Sequence, residues 1–158
     1  MSLTHKVIQP EELSAKVSAM HASDQVVFTN GCFDLLHPGH VAYLAAAKNL
    51  GDLLIVGIND DASVSRLKGS NRPINNLADR IRMLVALESV DTVISFSEDT
   101  PLELIKKVKP QILVKGGDYQ KHEIVGAKEV EALGGQVIVI PFEKGYSSTR
   151  LIEKIKAS

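Results

Sequence analysis

The chain has 158 residues, 44% of them hydrophobic, and 18 Lys and Arg side chains nearly balance 19 Asp and Glu side chains, for a formal net charge of -1. That size and apolar content predict one domain over residues 1–158, on which an N-terminal arm and helix over residues 1–24 pack. The near-neutral balance argues against a nucleic-acid-binding protein that works through a broad basic surface.

Cysteine content and hydropathy exclude further classes of protein. The single cysteine, Cys32, excludes an internal disulfide framework, and we interpret it as a small buried residue at a strand end rather than a reactive thiol. No apolar run approaches the roughly 20 residues of a membrane span. We therefore expect a cytoplasmic protein with no membrane partner.

Apolar periodicity predicts strands that alternate with helices along the chain. After a loose arm over residues 1–9, helices are expected from Pro10, over 41–49, 77–88, 100–108 and 123–133, and from Ser147, with Thr100 as an N-cap. Strands are expected over 25–29, 53–58, 91–96, 111–115 and 136–140, and residues 59–76 form a long polar loop typical of lids. Such alternation predicts right-handed crossovers and an α/β, Rossmann-like, doubly wound sheet of about five parallel strands, covered by helices on both faces.

The stretch after the first predicted strand has the chemistry of a phosphate site. His37 and His40 are three residues apart at the start of a helix, so both rings lie on one face, where unpaired backbone N–H groups and the helix dipole attract anions. Gly39 lacks a Cβ and lets phosphate oxygens approach the backbone. The alternative is a pair of surface histidines at a helix cap.

Other polar clusters follow predicted strands at the same sheet edge, where ligands bind in parallel α/β sheets. Thr29 and Asn30 offer a hydroxyl and an amide, or are simple turn residues. Residues 115–119, with Lys115, Gly117 and Asp118, combine a cation and an acid with close backbone approach, or form an ordinary βα turn. The hydroxyl run Ser147, Ser148 and Thr149 suits phosphate oxygens, or only caps a helix.

Charged residues between the second and third strands complete the predicted site. Lys68, Arg72 and Arg80 either neutralise phosphates or lie on a solvated face. Asp60 and Asp61 either hold a ribose hydroxyl or an adenine-side group, or merely end the strand.

The run Gly31-Cys32-Phe33-Asp34-Leu35-Leu36-His37-Pro38-Gly39-His40 resembles the signature Gly-x-Phe-Asp-x-x-His-x-Gly-His of the nucleotidyltransferase superfamily. Further stretches look like the heptose-1-phosphate adenylyltransferase family, which includes stand-alone enzymes and the second domain of bifunctional heptose kinase/adenylyltransferases. These stretches are Leu67-Lys68-Gly69, Asn71-Arg72-Pro73-Ile74, Val90-Asp91, Asp99-Thr100-Pro101, Val114-Lys115-Gly116-Gly117-Asp118-Tyr119 and Ile124-Val125-Gly126. Ser147-Ser148-Thr149-Arg150 departs from the more usual Ser-Thr-Thr or Ser-Thr-Ser run but keeps the hydroxyls.

The resemblance implies that ATP and a heptose 1-phosphate give ADP-heptose and pyrophosphate, a precursor of the lipopolysaccharide core, and it is compatible with a homo-oligomer. We expect Mg²⁺ to bridge the phosphates, with few direct ligands from the protein and no dedicated metal site. His37, His40, Lys68 and Lys115 are the expected catalytic residues, with Lys68 and Arg72 arriving by loop closure. The expected nucleotide-binding residues are Thr29, Asn30, Gly31, Phe33, Asp34, Gly39, Asp60, Asp61, Arg72, Gly117, Asp118, Ser147, Ser148 and Thr149.

Rival functions remain open at this point. The nearest is a cytidylyltransferase that acts on glycerol phosphate or another alcohol phosphate. A rival from another class is a nucleotide-binding module without turnover. The least specific alternative is a structural interaction protein.

Overall fold

A five-stranded, all-parallel sheet forms the centre of the protein in a computed structural model, which describes residues 4–22 and 24–158. The spatial order is β3-β2-β1-β4-β5, so the chain crosses over at β1 and builds outward in both directions. The predicted parallel α/β sheet is therefore confirmed. The strands are β1 Val26–Gly31, β2 Leu53–Asn59, β3 Thr92–Phe96, β4 Ile112–Gly116 and β5 Gln136–Ile140.

Seven α-helices precede, connect or follow these strands in the described ranges. Two expectations were wrong. Residues 61–68 form a helix inside the stretch predicted as a loop, because the Asp60 carboxylate caps its start by accepting from the Ser63 N–H at 2.8 Å. Thr100 is not an N-cap, since Pro101 occupies that position. The helices are α1 Leu13–His21, α2 Pro38–Lys48, α3 Asp61–Lys68, α4 Leu77–Val85, α5 Leu102–Val108, α6 Ala127–Ala132 and α7 Ser148–Lys156.

Apolar clusters cover both faces of the sheet, as the near-continuous apolar strands predict. One cluster joins Val26 and Phe28 of β1 to side chains of α1, α5 and α6. The other joins Val27 of β1 to side chains of α2 and α4, Leu44 and Leu84 among them. The core therefore holds the strands rigidly and leaves their carboxyl ends as the edge on which a site can be built.

The described part of the N-terminal arm contacts strand β3. Val7 bridges Val93 in parallel register, and the Ile8 N–H donates to the Val93 carbonyl at 3.0 Å. Lys6 Nζ donates to the Val90 carbonyl at 2.7 Å. The expectation of a loose arm was wrong for residues 4–9, because β3 is an edge strand whose free backbone groups offer it partners. Residues 1–3 of the predicted arm, and residue 23, lie outside the described residues.

Among the described helices, none has the length and apolar content needed to cross a membrane.

Candidate nucleotide site

A cavity of about 700 Å³ opens at the carboxyl ends of the strands, where the sequence places its polar clusters. Its lining comes from the ends of β1, β2, β4 and β5 and from the starts of α2 and α7. Thirteen of the predicted site residues line it. They are Asn30, Gly31, Phe33, Asp34, His37, Gly39, His40, Lys68, Arg72, Lys115, Ser147, Ser148 and Thr149.

The histidine motif, residues 31–40, turns the chain from β1 into α2. His37 is the N-cap of α2, and its Nδ1 accepts from the His40 N–H at 3.3 Å. The capping interpretation is therefore correct for His37, but it does not exclude the phosphate interpretation. An imidazole that accepts at Nδ1 carries its neutral-state proton on Nε2, which remains free to donate to a ligand.

The two imidazoles form a stacked pair at this helix start. Their ring centroids are 3.8 Å apart and the ring planes meet at 21°. Burial lowers the pKa of His37, whereas burial together with the nearby His37 lowers the pKa of His40 to about 4. Both rings are thus held neutral near pH 7 in the free protein, because a proton on either is poorly solvated and repels a proton on the other.

His40 has unused hydrogen-bonding capacity. Its Nδ1 is buried and makes no hydrogen bond within the described part of the chain. The Phe33 ring meets the imidazole edge-on at a centroid distance of 5.4 Å and helps fix its orientation.

Gly39 is required by packing as well as by backbone access. A Cβ at this position would lie 3.0 Å from His37 Nδ1 and 3.0 Å from the Tyr146 Cβ. Any larger residue would therefore displace the imidazole that caps the helix.

Two lysines and an arginine bring positive charge to the cavity. Lys68 ends α3 and Lys115 lies in β4, so both come from regular elements rather than from a loop. Burial lowers the pKa of Lys115, whose Nζ lies 5.6 Å from the centre of the Tyr119 ring. A phosphate would restore a favourable charge partner to this ammonium group.

Arg72 is fixed against the histidine motif. Its Nε donates to Asp34 Oδ2 at 2.6 Å, and the Ser65 hydroxyl donates to its carbonyl at 2.6 Å. The backbone N–H groups of Ile74 and Asn75 also donate to the Asp34 carboxylate. The segment is thus held in place beside the cavity, where the sequence predicted a loop that closes.

Arg80 joins three segments beneath the cavity. Its guanidinium is fully buried, and Nη1 donates to the carbonyls of Cys32 at 2.7 Å and Asn59 at 2.8 Å. Nε donates to the Asn75 carbonyl at 3.0 Å, and Nη2 pairs with Asp61 Oδ1 at 2.7 Å. Arg80 does not line the cavity; it ties the ends of β1 and β2 to the Arg72 segment.

The hydroxyl run opens α7 beside the histidine motif. Ser147 is the N-cap, and its Oγ accepts from the Arg150 N–H at 3.1 Å. The Ser148 hydroxyl donates to the Leu35 carbonyl at 3.1 Å. The capping interpretation is correct for Ser147, and the contact of Ser148 brings a second helix start to the same cavity.

Five predicted site residues do not line the cavity. Thr29 is fully buried, with Oγ1 only 2.6 Å from the Tyr43 hydroxyl. Asp60 caps α3 and Asp61 pairs with Arg80, so both carboxylates already have partners inside the protein. Gly117 and Asp118 follow β4 but are not among the residues that line the cavity.

Three aromatic residues in the lining were missed by the sequence analysis: Tyr43, Phe142 and Tyr146. Phe142 packs so closely over Gly116 that a Cβ there would come within 2.5 Å of its ring. Phe142 and Tyr146 follow β5 at the binding edge of the sheet, a signal that would have identified them. Cys32 also lines the cavity and is only partly buried, and burial raises the pKa of its thiol.

The donor set of the cavity suits phosphate better than a bare metal ion. Across residues 4–22 and 24–158, no three His, Cys, Asp or Glu side chains are grouped to hold a metal. Four carboxylates of the described chain line the cavity. Asp34 is paired with Arg72 and Asp99 with Arg66, Glu123 accepts from the Gln120 N–H, and Glu143 is exposed. A divalent cation would fit in this cavity when it is bound to a polyphosphate.

The carboxyl edge of the parallel sheet carries two helix starts, a histidine pair and three positively charged side chains. Together these features define a nucleotide-binding domain of the nucleotidyltransferase class. The model of the family described as cytidylyltransferase-like matches residues 28–154, and the chain belongs to this family. The superfamily resemblance carried by residues 31–40 is thereby confirmed.

Curated relatives match at high identity. Bifunctional protein HldE of Nitrosococcus oceani is 59% identical over 131 residues, which are 83% of this chain and 28% of that protein. Bifunctional protein HldE of Pectobacterium atrosepticum is 56% identical over 153 residues, which are 96% of this chain and 32% of that protein. The chain thus spans about a third of the length of the curated relatives it matches.

Solved structures share the fold. The lipopolysaccharide core biosynthesis protein of Thermoplasma volcanium GSS1 has a TM-score of 0.63 and 31% identity, covering 79% of this chain and all of that one. The pantoate-beta-alanine ligase of Francisella tularensis has a TM-score of 0.64 at 18% identity, covering 95% of this chain and 76% of that chain. The second likeness shows the fold alone.

Proposed function

We propose that the chain transfers the adenylyl group of ATP to D-glycero-manno-heptose 1-phosphate, giving ADP-heptose and pyrophosphate for the lipopolysaccharide core. The observation that carries the proposal is the stacked His37–His40 pair at a helix start, in a cavity lined by Lys68, Arg72 and Lys115. The sugar assignment is supported by the motifs over residues 67–74 and 114–126. It is also supported by the relative named for lipopolysaccharide core biosynthesis, which is matched over its full length.

The reaction is an in-line displacement at phosphorus. A phosphate oxygen of the sugar 1-phosphate attacks the α-phosphorus of ATP, the bond to the α,β-bridging oxygen breaks, and pyrophosphate leaves with that electron pair. This chemistry needs positioning and charge neutralisation and no protein nucleophile.

The protein supplies hydrogen-bond donors where negative charge grows. His37 Nε2 donates to the β-phosphate and the His40 ring donates to the α-phosphate. Both rings act from fixed positions, because His37 caps α2 and Phe33 packs on His40. Lys68, Arg72 and Lys115 neutralise phosphate charge. Ser147, Ser148 and Thr149 place hydroxyls and backbone N–H groups of the α7 start near the phosphates.

Mg²⁺, when bound to the triphosphate, shields its oxygens from one another and from the incoming phosphate. The protein would contribute few ligands to this ion, since the Asp34 carboxylate is already paired with Arg72 and Asp99 is paired with Arg66.

Pyrophosphate release tests the proposal. Reactions with Mg²⁺ contain ATP or CTP, each with and without the heptose 1-phosphate, and parallel reactions contain glycerol phosphate. Release that needs both ATP and the heptose 1-phosphate is expected. Release with CTP and glycerol phosphate would instead assign the cytidylyltransferase activity.

Two further outcomes address the rivals from other classes. Tight ATP binding without release for any acceptor would point to a non-catalytic module. The absence of any nucleotide-induced thermal shift would favour a structural interaction protein.

A further inference from the structure

The Asp34 carboxylate has no capacity left for a ligand. Its side chain is 1% exposed. Oδ2 accepts from Arg72 Nε at 2.6 Å, and Oδ1 accepts from the backbone N–H groups of Ile74 and Asn75, each at 2.8 Å. The Asn75 side chain also donates to the Asp34 carbonyl at 2.7 Å. Asp34 was predicted to contact the nucleotide, but a carboxylate saturated in this way organises protein groups instead.

Within the described chain, the Arg72 guanidinium donates hydrogen bonds only through its Nε edge. Nε is committed to Asp34, and its two Nη groups make no hydrogen bond to any described residue. The side chain is 18% exposed and lines the cavity together with His37, His40 and Lys115. Its backbone is fixed by the Gly69 carbonyl and the Ser65 hydroxyl, so the free edge of the fork has a defined direction.

Only arginine can divide its donors in this way. The planar guanidinium presents Nε and two Nη groups in a rigid fork, whereas a lysine ammonium is a single point that cannot serve a buried carboxylate and a phosphate from separate atoms. Pairing with Asp34 also neutralises much of the long-range electrostatic field of Arg72. The Nη groups of Arg72 therefore act on the cavity mainly as short-range, directional hydrogen-bond donors.

We propose that Asp34 is a positioning residue that holds Arg72 by Nε and aims its Nη groups at a phosphate of the bound substrates. The inference rests on the proposed function and deepens it, because it assigns Asp34 to the protein and Arg72 to the phosphates of the same site. Arg72 is the group that contacts substrate, and Asp34 acts through it.

Chemical rescue tests the assignment. Arg72→Ala lowers kcat/KM about 10²-fold, since the loss of a positioned phosphate donor misplaces the reacting groups. Added methylguanidinium binds at the vacated Asp34 and recovers about tenfold of that loss, the worth of a charge-assisted hydrogen bond. In the double variant Asp34→Asn/Arg72→Ala, confirmed as folded by its melting curve, methylguanidinium recovers nothing. Equal rescue of both variants would overturn the role of Asp34.

A second variant tests the same inference if the double variant fails to fold. Arg72→Lys retains the positive charge and the intact Asp34, and its kcat/KM falls nearly as far as that of Arg72→Ala. Wild-type kcat/KM in Arg72→Lys would overturn the inference, since a point charge would then suffice. Arg82→Ala removes an exposed arginine of α4 and serves as the matched control, with wild-type behaviour expected.

Binding of inorganic tripolyphosphate, measured by calorimetry, separates this inference from the proposed function. If the wild-type chain turns over no substrate pair, the proposed function fails, but Arg72→Ala still weakens tripolyphosphate binding and methylguanidinium restores it. If the wild-type chain is active and Arg72→Ala binds tripolyphosphate as tightly as the wild type, the assignment of Arg72 and Asp34 fails instead.

Discussion

The imidazoles of His37 and His40 lie face to face with their centroids 3.8 Å apart, and His40 Nδ1 is buried without a hydrogen-bond partner in the described chain. Two rings this close cannot both carry a proton cheaply. Both rings are therefore held neutral near pH 7 in the free protein.

Removing one ring tests this arrangement. His40→Ala lowers kcat by about 10²- to 10³-fold, about 3–4 kcal/mol in the barrier, because it deletes a preorganised donor at the developing charge. Steady-state pyrophosphate release measures the effect, with the melting temperature as a check on folding. Turnover at the wild-type rate in a folded His40→Ala variant would contradict the assignment.

The stability of the free protein depends on the protonation of His40. The ring titrates at about 4 in the folded chain and near 6.5, its ordinary pKa, in the unfolded chain, so between these values the unfolded chain binds more protons. The free energy of unfolding consequently falls as the pH is lowered from 6.5 to 4. Melting temperatures across this range are expected to fall less steeply for His40→Gln than for the wild type. Identical slopes would argue that His40 is not held neutral by the fold.

Arg80 is expected to govern stability. Its buried guanidinium satisfies the carbonyls of Cys32, Asn59 and Asn75, so Arg80→Met leaves these groups unpaired. The expected loss in unfolding free energy is about 3–5 kcal/mol, measured by urea denaturation. Arg82→Ala, on the exposed face of the same helix, is the control and should stay within about 0.5 kcal/mol of the wild type. A loss below about 1 kcal/mol for Arg80→Met would show that the network is not structural.

Thr29 separates a structural role from a ligand role. Its hydroxyl is buried against Tyr43, so Thr29→Val is expected to lower the unfolding free energy by about 1–3 kcal/mol and to leave the KM for ATP unchanged. A raised KM in a variant of normal stability would restore the sequence prediction that Thr29 contacts the nucleotide.

The sheet was predictable because five apolar runs alternate with helical spacing and parallel strands bring their carboxyl ends to one edge. The helix α3 was missed because Val64 and Leu67 are the only large apolar residues in it, and much of its definition comes from the Asp60 cap. The arm was misjudged because only the folded sheet reveals that β3 offers a free edge to Val7 and Ile8.

The centre of the site was predictable from the spacing of His37 and His40 at a helix start. The fate of individual polar side chains was not. Thr29 shares a face of β1 with Val27, which alternation along a strand predicts, but its pairing with Tyr43 depends on how α2 packs. From the sequence alone, Asp34 and Asp61 are equally plausible as ligand-binding residues and as structural ones. Only the folded structure shows that they form ion pairs with Arg72 and Arg80.

The fate of labelled phosphorus tests the central claim most directly. The chain is incubated with Mg²⁺, heptose 1-phosphate and ATP that carries ³²P at either the α or the γ position, and the products are separated. Attack at the α-phosphorus predicts α-label in the sugar nucleotide and γ-label only in pyrophosphate. Transfer of γ-label to the sugar, or retention of both labels in ATP despite nucleotide binding, would contradict the account.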